Sequence, residues 1–219
     1  MLEGVVIVFS ILLAFGIDAW WDGRADREET REGLEAIRIE MLENLDLLDE
    51  HAQFCTQVSG ATEALLSLMG PSPEEISADS VVDLVGRALT SAIGNRLSTT
   101  ALDAMIAEGQ FASIESAELR RDLGGWLSST VDQRIQQRDN ARAHLREALA
   151  YAQTVIPYAL VAGRESRFPV DVAQVLGDAR FEGAVSQMDY WRGGICRNDR
   201  LRREQAERLI FDIDAELGG

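Results

Sequence analysis

The sequence predicts an all-α protein, with an N-terminal transmembrane helix continuing into an antiparallel bundle of about three long helices plus short ones. Three observations carry that expectation. Apolar residues recur at threes and fours over long stretches, and no strand-like alternation is convincing. Only four prolines occur in 219 residues, two of them in one turn at Pro71 and Pro73. Proline removes a backbone donor and clashes with the preceding helical turn, so its scarcity favours long helices. The length suits one compact domain, residues 22–219, behind an anchor formed by residues 1–21.

The anchor comes first. Gly4 to Ile17, GVVIVFSILLAFGI, is an uncharged run of 14 residues. Asp18, Trp20 and Trp21 follow, and then a charged stretch from Asp22 to Glu32. At about 1.5 Å per residue, Gly4 to Trp21 spans roughly 27 Å, close to a ~30 Å hydrocarbon core. Tryptophans at the end of such a run suit the bilayer interface, and Asp18 beside them can reach water. A buried core helix, a cleaved signal peptide and a start lying upstream are the competing readings. Met-Leu-Glu before the run and two bulky tryptophans after it do not make a signal peptide's basic flank and small-residue cleavage site. Arg24, Arg27 and Arg31 after the run, with no basic residue before it, put the bulk of the chain in the cytoplasm if the positive-inside rule is taken literally.

From Glu28 the chain reads as the same helix continuing. Leu34, Met41, Leu48, Cys55, Thr62 and Met69 recur every seven residues, with Ile37, Leu45, Ala52, Val58 and Leu65 between them. Pro71 to Pro73 ends it. A short helix is expected over Glu74–Arg87 and another over Ala101–Glu108, with Ser98, Thr99 and Thr100 as candidate N-caps. Gly109 closes the latter, and Gly109 with Phe111 forms a fold-determining turn that needs a left-handed glycine. Ser116 caps a long helix from Ala117 to about Tyr158, interrupted near Pro157 and Gly163. Arg164 to Asp171 is a loop. The last helix, Asp178 to Leu217, carries Phe181, Val185, Met188, Trp191, Ile195, Leu209, Ile213 and Leu217, with Gly193-Gly194 as its weak point. The expected path rises along the first long helix, returns along the second and rises along the third.

The chain is strongly acidic, with net charge −16, and all 21 basic residues are arginine. Such a surface repels phosphate backbones, which disfavours nucleic acid as a partner. The missing lysine reads as a GC-rich genome rather than a mechanism. Cys55 and Cys196 are the only cysteines, and neither belongs to a CxxC or Cys/His cluster, so no metal site is expected. Two separate buried thiols are the expected state of this pair, with a disulfide allowed in an oxidising compartment.

The opening GVVIVFSILLAFGIDAWWDGRADREETREGLEAIRIEMLENL resembles a family of bacterial single-pass membrane proteins of unknown function. In that family a hydrophobic helix ends in an acidic or polar residue and a Trp, then enters an Arg/Glu-rich helix. Ile17-Asp18-Ala19-Trp20 and Gly33 to Arg38 fill those places. Thr99 to Trp126 is similar to a second family segment, through Leu102, Glu108-Gly109, Phe111, Ile114, Leu119, Arg120 and Leu123. The basic stretch that usually precedes the family's hydrophobic helix is missing here. The resemblance implies a bacterial cytoplasmic membrane, an N-terminus inside and a helical domain outside. It implies no activity, cofactor or catalytic residue.

Little in the sequence points to catalysis. His51 lies one turn from Cys55, and a Cys/His hydrolase is the remote reading; a surface histidine beside a core cysteine is the ordinary one. The carboxylate clusters Asp46/Asp49/Glu50 and Glu28/Glu29/Glu32 read as solvated faces. The arginine-rich stretch Arg197 to Arg208 reads as a salt-bridged helix face, diluted by Asp199, Glu204 and Glu207. Neither Gly124-Gly125 nor Gly193-Gly194 belongs to a phosphate-binding loop. The expectation is a non-enzymatic interaction or sensory module, without cofactor, that meets the bilayer through residues 4–21 and binds a protein partner or small ligand. The alternative is a membrane-proximal coiled-coil scaffold, with the Leu34–Met69 stripe joining copies of the chain as a homo-oligomer.

Overall fold

A computed structural model describes the backbone of residues 2–71, 76–89 and 96–218, and their side chains except at 2–12, 14, 18, 19, 22 and 133–142. Among the described residues the chain is helical, without strands. Three long helices dominate: α1 (Leu2–Leu68), α4 (Ala117–Val155) and α7 (Ala179–Gly218). Between them come α2 (Ala78–Ala88), α3 (Thr100–Ala107), a 3-10 turn (Gln110–Ser113), α5 (Tyr158–Val161) and α6 (Val172–Leu176). Helix α1 stops just before Gly70-Pro71. Helix α4 stops at Val155, ahead of Pro157, which fits proline's bias against a helical residue before it.

The residues cluster in two compact units. The first comprises residues 1–45, 98–129 and 205–219, the second residues 46–97 and 130–204. In the first unit Leu34, Ile37 and Met41 of α1, Leu102 and Met105 of α3, Leu119, Leu123 and Trp126 of α4, and Leu209 and Ile213 of α7 are all buried. Each such side chain contributes roughly 1.5–3 kcal/mol of transfer free energy. Gly33 lets α3 approach closely, because a Cβ there would lie 3.1 Å from Gln110 Oε1 and 3.3 Å from Met105 Cγ. In the second unit the core gathers Leu65, Val81, Val85, Ala152, Ile156, Val175, Leu176, Phe181 and Val185.

Several helix starts are capped from far along the chain. Glu40 of α1 accepts hydrogen bonds from the Ala101 amide (2.8 Å) and the Ser98 hydroxyl (2.8 Å), at the N-terminus of α3. Thr99, at the N-cap position, makes no capping bond with its side chain and instead donates to Asp103 (2.9 Å). Of the expected hydroxyls Ser98 Oγ accepts from the Thr100 amide (3.3 Å), and the carboxylate from another helix adds an acceptor for the Ala101 amide. Asn44 clasps the backbone of Ser98, donating to its carbonyl (2.9 Å) and accepting from its amide (2.7 Å). At α4, Ser116 Oγ accepts from the Leu119 amide (3.1 Å) as expected, and Glu216 of α7 also accepts from the Glu115 and Ser116 amides.

The direction of the second long helix differs from expectation. In the second unit Asp49 meets Arg203, Cys55 meets Cys196 and Thr62 meets Arg192, so α1 and α7 are antiparallel. Thr130 meets Arg202 and Tyr151 meets Asp178, so α4 is also antiparallel to α7. Helices α1 and α4 therefore run the same way.

The seven-residue stripe of α1 is buried from Leu34 to Thr62, but its intermediate positions are shifted. Ala52 is exposed and Leu45 only half-buried, while Asn44 and His51 are buried instead. The buried set Ile37, Met41, Asn44, Leu48, His51, Cys55, Val58, Thr62 and Leu65 alternates strictly by four and three. The chain itself covers this stripe, which leaves it little apolar surface for a second copy.

Among the described residues no helix is long and apolar enough to cross a membrane. Most of the Gly4–Ile17 run, residues 4–12 and 14, lies outside the described side chains. The described apolar side chains that follow are uncovered: Phe15 is 66% exposed and Trp21 60%, with Leu13, Ile17 and Trp20 close behind.

Candidate functional site

The most chemically loaded place in the second unit lies where α1 faces α7. The heptad spacing of α1 puts His51 and Cys55 on one buried face, one turn apart. The reverse run of α7 brings Cys196 and Asp199 opposite them. Cys55 and Cys196 form a disulfide. This corrects the expectation of two separate thiols. The expected path, which had the two cysteines on helices running the same way, gave them no reason to meet.

His51 is not the surface histidine expected. It is buried, with Nδ1 2.7 Å from Asp199 Oδ2 and 3.9 Å from Cys55 Sγ, and its ring stacks on Phe54. Its Nε2 has no hydrogen-bond partner among the described residues. Asp199, expected to dilute a solvated arginine face, is likewise buried. A buried carboxylate is costly to desolvate unless it is paired, and His51 supplies the pair.

Beside this cluster opens a cavity of about 500 Å³, lined by Cys55, Cys196, His51 and Asp199, with Glu63, Arg200 and Arg203 among its charged residues. Arg203 is engaged by Asp49 (2.6 Å), while Arg200 is exposed. Cys196 is only partly buried, whereas Cys55 belongs to the core. The arrangement places a disulfide, a closely apposed His–Asp pair and two guanidinium groups around one solvent-open space.

A second buried polar group lies further along α7. The Arg192 guanidinium donates to Thr62 Oγ1 (3.1 Å) and to the Ala88 carbonyl (2.6 Å). Burial pushes its pKa below the usual arginine value, against the opposing attraction of Asp189. The sequence reading had placed Trp191 on this buried face, and Trp191 is partly exposed and stacked on His144 instead.

Of the other expected site residues, Gly109 adopts the left-handed conformation (φ +81°) between α3 and the 3-10 turn, and Phe111 is half-buried there. Gly4 and Asp18 belong to α1, with Asp18 outside the described side chains. Ile17, Trp20 and Trp21 are exposed. Among the described residues no group of three or more His, Cys, Asp or Glu side chains could hold a metal ion. No signal of composition or motif singles out Asp199 or Arg192. A strict alternation of threes and fours along α1 would have found His51. Comparison with protein-family models, curated proteins and solved structures gives no match to this chain.

Proposed function

We propose that this chain is a single-pass protein of the bacterial cytoplasmic membrane, anchored through residues 4–21, whose helical bundle is a non-enzymatic interaction or sensory module outside the cytoplasm. The carrying observation is the uncovered apolar stretch of α1. Leu13, Phe15, Ile17, Trp20 and Trp21 are all exposed, while the same helix buries its apolar stripe from Leu34 onward. An uncovered apolar stretch of this kind suits an apolar surrounding, and tryptophans at its end suit the interface of a bilayer. The family resemblance in the opening residues supports the same layout.

The Cys55–Cys196 disulfide supports the outward placement of the bundle, because disulfides persist in oxidising compartments and are rare in the bacterial cytoplasm. It also occupies the sulfur that a Cys/His hydrolase would use as nucleophile. The reading is tested with Glu165→Cys, an exposed position, in a chain with Cys55→Ser and Cys196→Ser. A membrane-impermeant maleimide should label it on intact cells. Protection until lysis would overturn the outward placement, and release of the wild-type chain from membranes by alkaline carbonate would overturn the anchor.

A further inference from the structure

The disulfide between α1 and α7 differs from one sealed in a core in three respects. Both of its cysteines line an open cavity of about 500 Å³. The two cysteines are unequally buried, Cys196 partly open and Cys55 only 9% exposed. The buried one lies beside a ring nitrogen, His51 Nδ1 at 3.9 Å, which Asp199 Oδ2 approaches at 2.7 Å from another side. Thiol–disulfide exchange requires an attacking thiolate in line with one sulfur and a leaving thiolate at the other, so unequal access and unequal support fix its direction.

We propose that Cys55–Cys196 is an exchange site for a small carboxylate-bearing thiol, which becomes attached to Cys196 as a mixed disulfide. The incoming thiolate attacks Cys196 Sγ from the cavity. A bond forms between its sulfur and Cys196 Sγ as the Cys55–Cys196 bond breaks. The electron pair of the broken bond goes to Cys55 Sγ, which leaves as a thiolate near the His51 ring and takes up the proton that the incoming thiol released. The attacking sulfur is oxidised and the Cys55 sulfur reduced, with no other co-reactant. Arg200, exposed and lining the cavity, receives the carboxylate; Arg203 is the weaker candidate because Asp49 engages it. The other charged groups around the cavity are Glu63, the His51–Asp199 pair and Arg203, and of the two arginines Arg200 is the more exposed. Asp199 acts through His51, as a positioning residue. The inference does not depend on the membrane reading.

The test uses the oxidised full-length chain in detergent with two probe thiols, 3-mercaptopropionate and cysteamine, supplied at equal thiolate concentration. The chain carries net charge −16, so a disulfide read only through the overall field would react faster with the cationic cysteamine. The site predicts the reverse, an advantage of about threefold or more for the carboxylate thiol, as one partly screened charge contact allows. Acid quenching and peptide mass spectrometry should place the first adduct on Cys196, and Arg200→Gln should restore the preference for cysteamine. His51→Asn should slow exchange and change its pH profile while Asp199→Asn, which keeps an acceptor for the ring, has the smaller effect. A first adduct on Cys55, a preference of the wild-type chain for cysteamine, or no exchange while the chain remains folded would each overturn the proposal. These wild-type outcomes decide it even if the His51 variant does not fold.

Discussion

His51 Nδ1 lies 2.7 Å from Asp199 Oδ2, and less than a tenth of either side chain is exposed. Removing one member of such a buried pair takes a close polar contact from the other, at a cost of up to about 3 kcal/mol. Asp199→Ala and His51→Leu should each lower the thermal midpoint of the oxidised chain markedly. Replacing both residues with leucine should cost less than the two single changes added together, because either single change already removes their mutual contact. Asp199→Asn should be the mildest single change, since the amide oxygen still accepts from the imidazole. Circular-dichroism melts of the four variants form a double-mutant cycle, and additive losses would show that the two side chains act independently.

Tyr151 donates to Asp178 Oδ2 (2.8 Å), and Asp178 Oδ1 caps α7 by accepting from the Arg180 and Phe181 amides. The Tyr151 hydroxyl and these amides, aided by the Arg180 charge, hold the Asp178 carboxyl below its ordinary value against a smaller opposing effect of burial. A carboxyl whose folded pKa is lowered stabilises the fold fully above its unfolded value near 3.8, and that contribution disappears as pH falls through the folded value. Melts between pH 6 and pH 2 should therefore lose stability less steeply in Asp178→Asn than in the wild type. Tyr151→Phe should fall between them. At neutral pH Asp178→Ala should cost about 1 kcal/mol, as the loss of an N-cap does.

These pairs show where the sequence was legible and where it was not. The long helices read correctly because their apolar stripes extend over many turns and prolines are few. The errors share one cause, which is following apolar residues off the strict helical spacing. Leu45 and Ala52 were chosen beside Asn44 and His51, and Trp191 beside Arg192, yet the buried position in each case belongs to the polar neighbour. A polar residue can occupy a core position when a partner satisfies it, and that partner lies on another helix: Ser98 for Asn44, Asp199 for His51, Thr62 for Arg192. Sequence spacing records the position but not the partner. The direction of α4 was not legible either, because an apolar stripe does not say which way its helix runs beside a partner.

Gly109 offers a test confined to the backbone. It has φ +81°, and nothing lies within 4 Å of a Cβ placed there, so a side chain would meet no clash. The cost of Gly109→Ala is then only the left-handed conformation, about 1 kcal/mol. Gly109→Asn should cost less, because asparagine tolerates that region. Chemical denaturation should rank glycine, asparagine and alanine in that order, and an alanine variant as stable as the wild type would mean that the turn relaxes.

Glu40 reaches from α1 to the start of α3 and is almost fully buried, so its carboxylate satisfies donors that water cannot reach. The positive end of the α3 dipole and the Ala101 amide favour an anionic acceptor there. Glu40→Ala should cost about 2 kcal/mol, combining a lost cap with an unsatisfied amide. The loss should be local. Hydrogen exchange should speed up first at the Ala101 amide, while the Val185 amide in the middle of α7 keeps its protection. Glu40→Gln keeps an oxygen for the Ala101 amide but gives up the charge, so its exchange should lie between the two. Equal acceleration at Ala101 and Val185 would mean that Glu40 supports the whole bundle rather than the start of one helix.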